Sequence, residues 1–329
     1  MCAADGAPPD PPPPNSGSVA ELGEFGLIAR ITSGRGLPPG TVLGPGDDAA
    51  VLAVADGRVV VTTDVLVEGV HFRLDWSTPH QIGRKTVAAN LADVAAMGAV
   101  PTALVVGLAV PGRTAVSTVD GLAAGMWEEA ERAGAGIVGG DVVSSAQLVV
   151  SVTALGDLQG RAPVTRSGAQ PSDVLALRGK LGWSAAGLDL LRRGHHCPLA
   201  VVEAHRVPEP PYRAGPQAAE AGATAMIDVS DGLLADAGHL ARASGVGIDI
   251  DSAAVPVAAT LVEVALALGA DARHWVLTGG EDHALLACFP AGAALPTGWT
   301  VLGVVRQGCG VTVDGHAYDV LPAGWEHFS

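Results

Sequence analysis

Apolar positions along the chain fall into short blocks whose period switches between two and about 3.6 residues. RVVVTTD, ending at Asp64, ALVVGLAVP over 103–111, GAGIVGGD, ending at Gly139-Gly140-Asp141, and LVVSVTALGDL over 148–158 are short apolar runs bounded by turn formers. Such runs predict buried strands. Helices are predicted between them over 79–97 and 116–133, and an earlier one over 21–31, where Leu22, Phe25, Ile28 and Ala29 share a face. Four strands with intervening helices complete one α/β unit near residue 157. RAPVTRSGAQPSD is then rich in turn formers and marks a boundary. Beyond it come a strand in DVLALRG, a helix over 184–193, a proline-broken connection over 195–216, and an apolar strand, AMIDV, leading into a helix. The strand GIDID, a helix over 259–268 and an apolar strand after TGGED complete the pattern. The expected organisation is a disordered Pro-rich tail over 1–20, an N-terminal domain over 21–157 and a C-terminal α/β domain over 158–329.

Composition bounds the function. At 329 residues with 48% hydrophobic and 16% charged residues, a folded chain with room for two domains is expected. Aromatics are 4%, so the core must be built from Ala, Val, Leu and Ile. A net charge of −15 argues against nucleic acid or an anionic membrane as partner. No apolar run is long enough to span a bilayer. Cys2, Cys197, Cys288 and Cys309 form no CxxC pair and read as reduced thiols, so a cytoplasmic location is expected.

The candidate chemistry is carboxylate chemistry. Asp48, Asp64, Asp141 and Asp228 each stand where an apolar strand or a Gly turn ends in an acidic residue. Alone, Gly46-Asp47-Asp48 is a turn or a helix cap, and Ser230 or Asp231 can be an N-cap. Asp93 can be a solvated helix position, although its neighbours are nearly all apolar or small, and Asn90 shares its face. Asp228 interrupts an apolar strand and is harder to assign to a structural role. In open α/β folds ligands bind beyond strand ends. Two carboxylates converging to 4 Å repel by about 4 kcal/mol at an effective dielectric near 20, which a divalent cation removes. Hard, all-oxygen sites suit Mg²⁺ or Mn²⁺, and Mg²⁺ commonly shares its ligands with substrate phosphates. Thr62 and Thr63 can add oxygen ligands. A magnesium–nucleotide site follows. Lys85, one of two lysines with Lys180, reads as a surface lysine, with a phosphate contact as the alternative. Glu128, Glu129 and Glu131 read as a solvated helix face, and His195 and His196 as loop residues. No GxxxxGK[ST], HRD, DFG or zincin motif occurs, and the one GxGxxG, at 134–139, follows a helix and precedes a strand, the reverse of the dinucleotide-binding order.

GDDAAVL, TTDVLVEGVHF, NLADVAAMGA, GGDVVSS, TRSGAQPSD, IDVSDGLLADAGHL and TGGED occur in that order, followed by a terminal WEHF. Together they resemble the thiamine-monophosphate kinase family of the aminoimidazole-ribonucleotide-synthetase-like superfamily, from about Glu21 to the C-terminus. The resemblance implies an α/β (α+β) fold of two domains, the first contributing to a dimeric β-barrel. It implies direct in-line transfer of the γ-phosphoryl group of ATP to thiamine monophosphate, giving thiamine diphosphate, with several Mg²⁺ ions and a homodimer. The family's magnesium ligands fall on Asp48, Thr62, Thr63, Asp64, Asp93, Asp141, Asp228 and Asp231. Its ATP contacts fall on Gly140, Asp141, Arg166 and Ser230, and its substrate contacts on His71, Glu281 and Trp325. Asp64, Asp141, Asp231 and Arg166 carry the catalytic expectation. The Pro-rich tail has no family counterpart. Three alternatives remain open at this point. One is another ATP-dependent synthetase of the superfamily, acting in purine or selenophosphate synthesis. The others are a non-catalytic nucleotide or thiamine-phosphate binding protein and a metal-dependent phosphohydrolase.

Overall fold

A computed structural model of the chain describes residues 17–45 and 49–318. The expected Pro-rich tail falls almost wholly outside these residues, as do Asp47, Asp48 and Trp325. The chain opens with helices α1 (Val19–Leu22) and α2 (Glu24–Thr32) and a hairpin of β1 (Thr41–Leu43) and β2 (Val51–Leu52). The single early helix expected over 21–31 is broken at Gly23, whose φ of 73° lies in the left-handed region open to glycine. Strand β3 (Val60–Val67), helix α3 (Pro79–Ala96), β4 (Val100–Val110), α4 (Val116–Ala133), β5 (Gly136–Ser144) and β6 (Val149–Asp157) follow. The strands form a sheet of order β3-β6-β4-β5, with β4 and β5 parallel and the other pairs antiparallel.

The second half holds β7 (Val174–Arg178), α5 (Trp183–Arg192), α6 (Leu199–Arg206), α7 (Ala214–Glu220), β8 (Ala225–Val229) and α8 (Leu233–Ser244). It ends with β9 (Gly247–Ile250), α9 (Ala259–Leu268), α10 (Ala272–Thr278), β10 (Ala284–Phe289), β11 (Thr300–Arg306) and β12 (Gly310–Val313). Its six strands take the order β12-β9-β11-β7-β10-β8. The connection expected over 195–216 contains α6, and α7 begins near its end. The helix α10, just before the Gly279-Gly280 turn, has no counterpart in the periodicity reading.

Helix α3 joins the two halves. Thr78 caps it, accepting from the Gln81 amide at 3.2 Å while Gln81 Oε1 accepts from the Thr78 amide, and Pro79 takes the first turn, where no amide donor is needed. The helix is buried nearly all round because the first sheet and α4 cover one side and the second half covers the other. Gly83 and Gly125 allow α3 and α4 to touch backbone to backbone: a Cβ at either would collide with a carbonyl of the facing helix, Leu122 or His80. Leu91, Val94, Leu104, Leu122 and Val152 belong to the core of the first sheet, and Ala95 and Ala96 pack with Met226, Leu285 and Phe289 of the second half.

Glu129 is fully buried rather than solvated. It accepts from Tyr212 Oη at 2.8 Å and pairs with Arg84 at 2.8 Å and Arg132 at 3.1 Å, tying α4 to α3 and to the connection before α7. Burial and this carboxylate hold the Tyr212 phenol well above its usual pKa.

Candidate active site

Strand β3 alternates its side chains about the sheet. Thr62 and Asp64 lie on the face covered by α3, whereas Val61, Thr63 and Val65 lie on the other face. Asp64 therefore stands inside a strand that continues to Val67, paired with β6 throughout, and not at a strand end as the sequence suggested. Asp141 likewise lies inside β5. The alternation of side chains, not strand termination, brings Asp64 to α3.

Thr62 Oγ1 donates to Asp93 Oδ2 at 2.8 Å, and the Asp64 amide donates to Asn90 Oδ1 at 2.9 Å. The Asp93 carboxyl is pushed up to about 7, first by burial, then by the negative charges of Asp228 and Asp64. Asp64, Asp93 and Asp228 thus form one electrostatic group drawn from β3, α3 and β8. Asp228 is buried in β8, with Oδ2 3.0 Å from His283 Nδ1. Burial alone would lower the His283 imidazole, but the Asp228 bond and the surrounding carboxylates outweigh it and hold it raised.

The group extends along the β8–α8 turn. Asp236 Oδ2 accepts from the Asp231 and Gly232 amides at 3.0 Å, and its carboxyl is pushed up to about 8 by burial, then by Asp228 and Asp231. Ligand atoms of Asp231, Asp236 and His239 lie within 4.8 Å of one another. Arg166 is exposed beside this turn: its carbonyl accepts from Ser244 Oγ of α8 at 3.1 Å, and its charge adds to burial and Arg242 in lowering His239. The Ser230 carbonyl accepts from the Glu281 amide at 2.8 Å.

The substrate-side candidates lie nearby. His71, in the β3–α3 connection, accepts on Nδ1 from the Val67 amide at 3.1 Å. Glu281 pairs with Lys85 at 3.0 Å and with His205 Nδ1 at 3.5 Å. Lys85 is 4% exposed, which corrects its reading as a surface lysine. Asp282 caps α5, accepting from the Gly182 and Ser184 amides.

Three candidates stand apart from this row. Thr63 Oγ1 donates to the Val152 carbonyl at 3.0 Å on the opposite face of the sheet. Gly140 and Asp141 lie on β5, with β6 and β4 between them and β3, a separation of about 14 Å at the usual strand spacing. Both line a cavity of about 890 Å³ between α2, α4 and the sheet, with Ile28, Ile31, Met126 and Trp127 as apolar walls. That volume suits a nucleoside-sized ligand.

An oxygen-rich donor set in which burial and neighbouring carboxylates hold Asp93 and Asp236 raised is short of positive charge, and its chemistry fits a hard divalent ion such as Mg²⁺. Lys85, His205, Asp236 and His283 were not singled out in the sequence as site residues. The available signal was a lysine opening the run KTVAANLADVAA, whose one other charge is Asp93; nothing marked His205 or His283.

Two linked α/β units meeting at a shared acidic row define a class of two-domain protein. The AIR synthase related protein family accounts for both halves, its N-terminal domain matching residues 46–158 and its C-terminal domain residues 170–315. Within that class, the thiamine-monophosphate kinase of Mycobacterium tuberculosis is 54% identical over 315 residues, covering 95% of this chain and 94% of its own. That of Bacillus subtilis is 37% identical, covering 80% and 82%. The structure of AaThiL complexed with AMPPCP and TMP superposes with a TM-score of 0.78 at 34% identity, covering 95% of this chain and 99% of that one. The chain belongs to the thiamine-monophosphate kinase family.

Proposed function

We propose that this chain transfers the γ-phosphoryl group of ATP to the phosphate of thiamine monophosphate, giving thiamine diphosphate and ADP. The observation that carries the reading is the group of Asp64, Asp93 and Asp228, drawn from both halves of the fold, in which burial and then the charges of Asp228 and Asp64 push Asp93 up to about 7. Such a group suits two polyanionic substrates bridged by cations, and the activity carried in the names of the Mycobacterium and Bacillus relatives supports the same chemistry.

An oxygen of the acceptor phosphate forms the new bond to the γ-phosphorus as the bond to the β-phosphate oxygen breaks, with no phosphoenzyme. This chemistry requires alignment and charge neutralisation more than covalent help. Asp48, Thr62, Asp64, Asp93, Asp141, Asp228 and Asp231 would hold Mg²⁺, which when bound neutralises the phosphate oxygens, whereas the Thr63 hydroxyl faces the other side of the sheet. Gly140 and Asp141, which line the apolar cavity, take the nucleotide together with Ser230, and Arg166 supplies a cation to its phosphates. His71, Glu281 and Trp325 take the acceptor.

A homodimer completes the site in this reading. Val61 and Val65 are 61% and 48% exposed on the uncovered sheet face, and β3 and β5 are its two free edges. Closing two sheets into a barrel buries that face and sets β5 of a second copy against β3, which would bring Asp141 towards Asp64. No helix among the described residues is long and apolar enough to cross a membrane, and a cytoplasmic site of action fits the acidic surface. An acceptor panel with ATP and Mg²⁺ tests the function: thiamine monophosphate should be the substrate converted, and conversion of a different phosphorylated acceptor in its place would overturn the assignment.

A further inference from the structure

We propose that Lys85 is a positioning residue: it ties the His71 segment and Glu281 into one pocket and presents the Glu281 carboxylate to the cationic organic part of the acceptor. The proposal rests on the reading of Glu281 and His71 as acceptor-side residues.

The geometry is specific. Lys85 Nζ lies 3.0 Å from Glu281 Oε1 and donates to the His71 carbonyl at 3.2 Å, so one buried ammonium spans the first half of the fold and the second. A buried lysine is costly unless paired, and this one is 4% exposed. The segment that carries Glu281 is held against its own preference: Glu281 and His283 have φ of 62° and 52°, left-handed values that non-glycine residues adopt only when the surroundings impose them. Gly280 lies so close beneath the Ser230 carbonyl that a Cβ there would collide with it. The strained turn delivers the Glu281 carboxylate to α3.

The other carboxylate oxygen, Oε2, is 3.5 Å from His205 Nδ1, which is also 3.0 Å from Ser184 Oγ. The imidazole is held down to about 3 by burial and then by Lys85, so it is neutral. A proton on Nδ1 suits the facing carboxylate; a bare lone pair there would be repelled by it. His205 therefore orients Glu281 without cancelling its charge. Burial alone would raise the Glu281 carboxyl, but the charge of Lys85 and the hydrogen bond from its ammonium hold it down to about 2. The side chain remains 37% exposed and within reach of a ligand. A fixed carboxylate repels phosphate and attracts a cationic ring or an exocyclic amine, which places its action on the heterocyclic part of the acceptor and away from the phosphates.

The test compares wild type, Lys85→Met, Glu281→Gln and the double variant, measuring direct binding of thiamine monophosphate and steady-state constants from pH 5.5 to 8.5. In Lys85→Met the KM for thiamine monophosphate should rise about tenfold at pH 7, with kcat lowered less than threefold and the KM for ATP moved less than twofold. Without Lys85 the Glu281 carboxyl keeps His205 and His283 as cationic or neutral neighbours and Asp282 as an anionic one, and burial then raises it. The acceptor KM of Lys85→Met should accordingly climb further below pH 7, whereas a general packing defect would raise it equally at every pH. The double variant should be no worse than Glu281→Gln and should lose the extra pH dependence. An unchanged KM in Lys85→Met, or losses that multiply in the double variant, overturns the proposal. Should Lys85→Met fail to fold, Lys85→Gln and His205→Ala carry the same comparison, and unchanged acceptor binding in both overturns it. If the wild type itself neither binds nor converts thiamine monophosphate, the reading of the site fails first, and the proposal with it.

Discussion

Replacing Asp93 by Asn should stabilise the metal-free protein and abolish its response to Mg²⁺. Asp93 is pushed from 3.8 to about 7 by burial and by Asp228 and Asp64, a rise of roughly three units. At 1.36 kcal/mol per unit, that sets a ceiling of about 4 kcal/mol on the cost of ionising it in the folded state. The side chain is partly exposed, and solvent screening brings the expected value to about 2 kcal/mol. The sign follows from proton linkage. Between pH 3.8 and 7 the folded state binds a proton that the unfolded state has released, so stability falls as pH rises through that window and the full cost is present above it. The carboxamide of the Asp93→Asn variant cannot ionise, and its oxygen can still accept from Thr62. In EDTA at pH 8 the variant should melt roughly 4 °C above wild type, and the difference should vanish below pH 4. With Mg²⁺ at about 100 times its dissociation constant, wild type should gain about 2.7 kcal/mol, and Asp93→Asn should gain little. Thermal unfolding across pH, with EDTA or Mg²⁺, reads all of this. A variant less stable than wild type in EDTA at pH 8, or one stabilised by Mg²⁺ as fully as wild type, would refute the reasoning.

Three further outcomes are expected. Asp64→Asn should lower turnover at least about 100-fold while leaving the circular dichroism spectrum unchanged, because a carboxylate ligand is lost from the acidic row; near-normal rates across a Mg²⁺ titration would exclude that role. Glu129→Ala should cost about 3 kcal/mol in denaturant unfolding, since Arg84, Arg132 and Tyr212 lose a shared buried partner; a change under about 1 kcal/mol would contradict the network. Val61→Asp with Val65→Asp should convert a dimer to a monomer in light scattering, and a wild type that is already monomeric would contradict the barrel.

Much of this site is legible in the sequence. Asp228 interrupts a strand that is otherwise Ala, Met, Ile and Val, and Asp93 lies among small apolar residues; both prove to be members of the acidic row. Periodicity places most strands and the long helices because they are buried on one or both faces. It misplaces Asp64 and Asp141 at strand ends because a polar residue inside a strand resembles a terminus unless the helix covering that face is known. Lys85 and Glu129 are misread for a related reason. A charge on a helix is assigned to solvent by default, but α3 and α4 are covered on several sides, and the partners of these two charges, Glu281 and Tyr212, lie far along the chain. His205 and His283 matter through contacts across that same distance, which no local pattern encodes.

The most direct test of phosphoryl transfer between two phosphates is the stoichiometry of products. Purified protein with ATP, Mg²⁺ and thiamine monophosphate should yield ADP and thiamine diphosphate in equal amounts by mass spectrometry, with negligible ADP when thiamine monophosphate is omitted. ADP accompanied by inorganic phosphate, with the thiamine monophosphate unchanged, would contradict it.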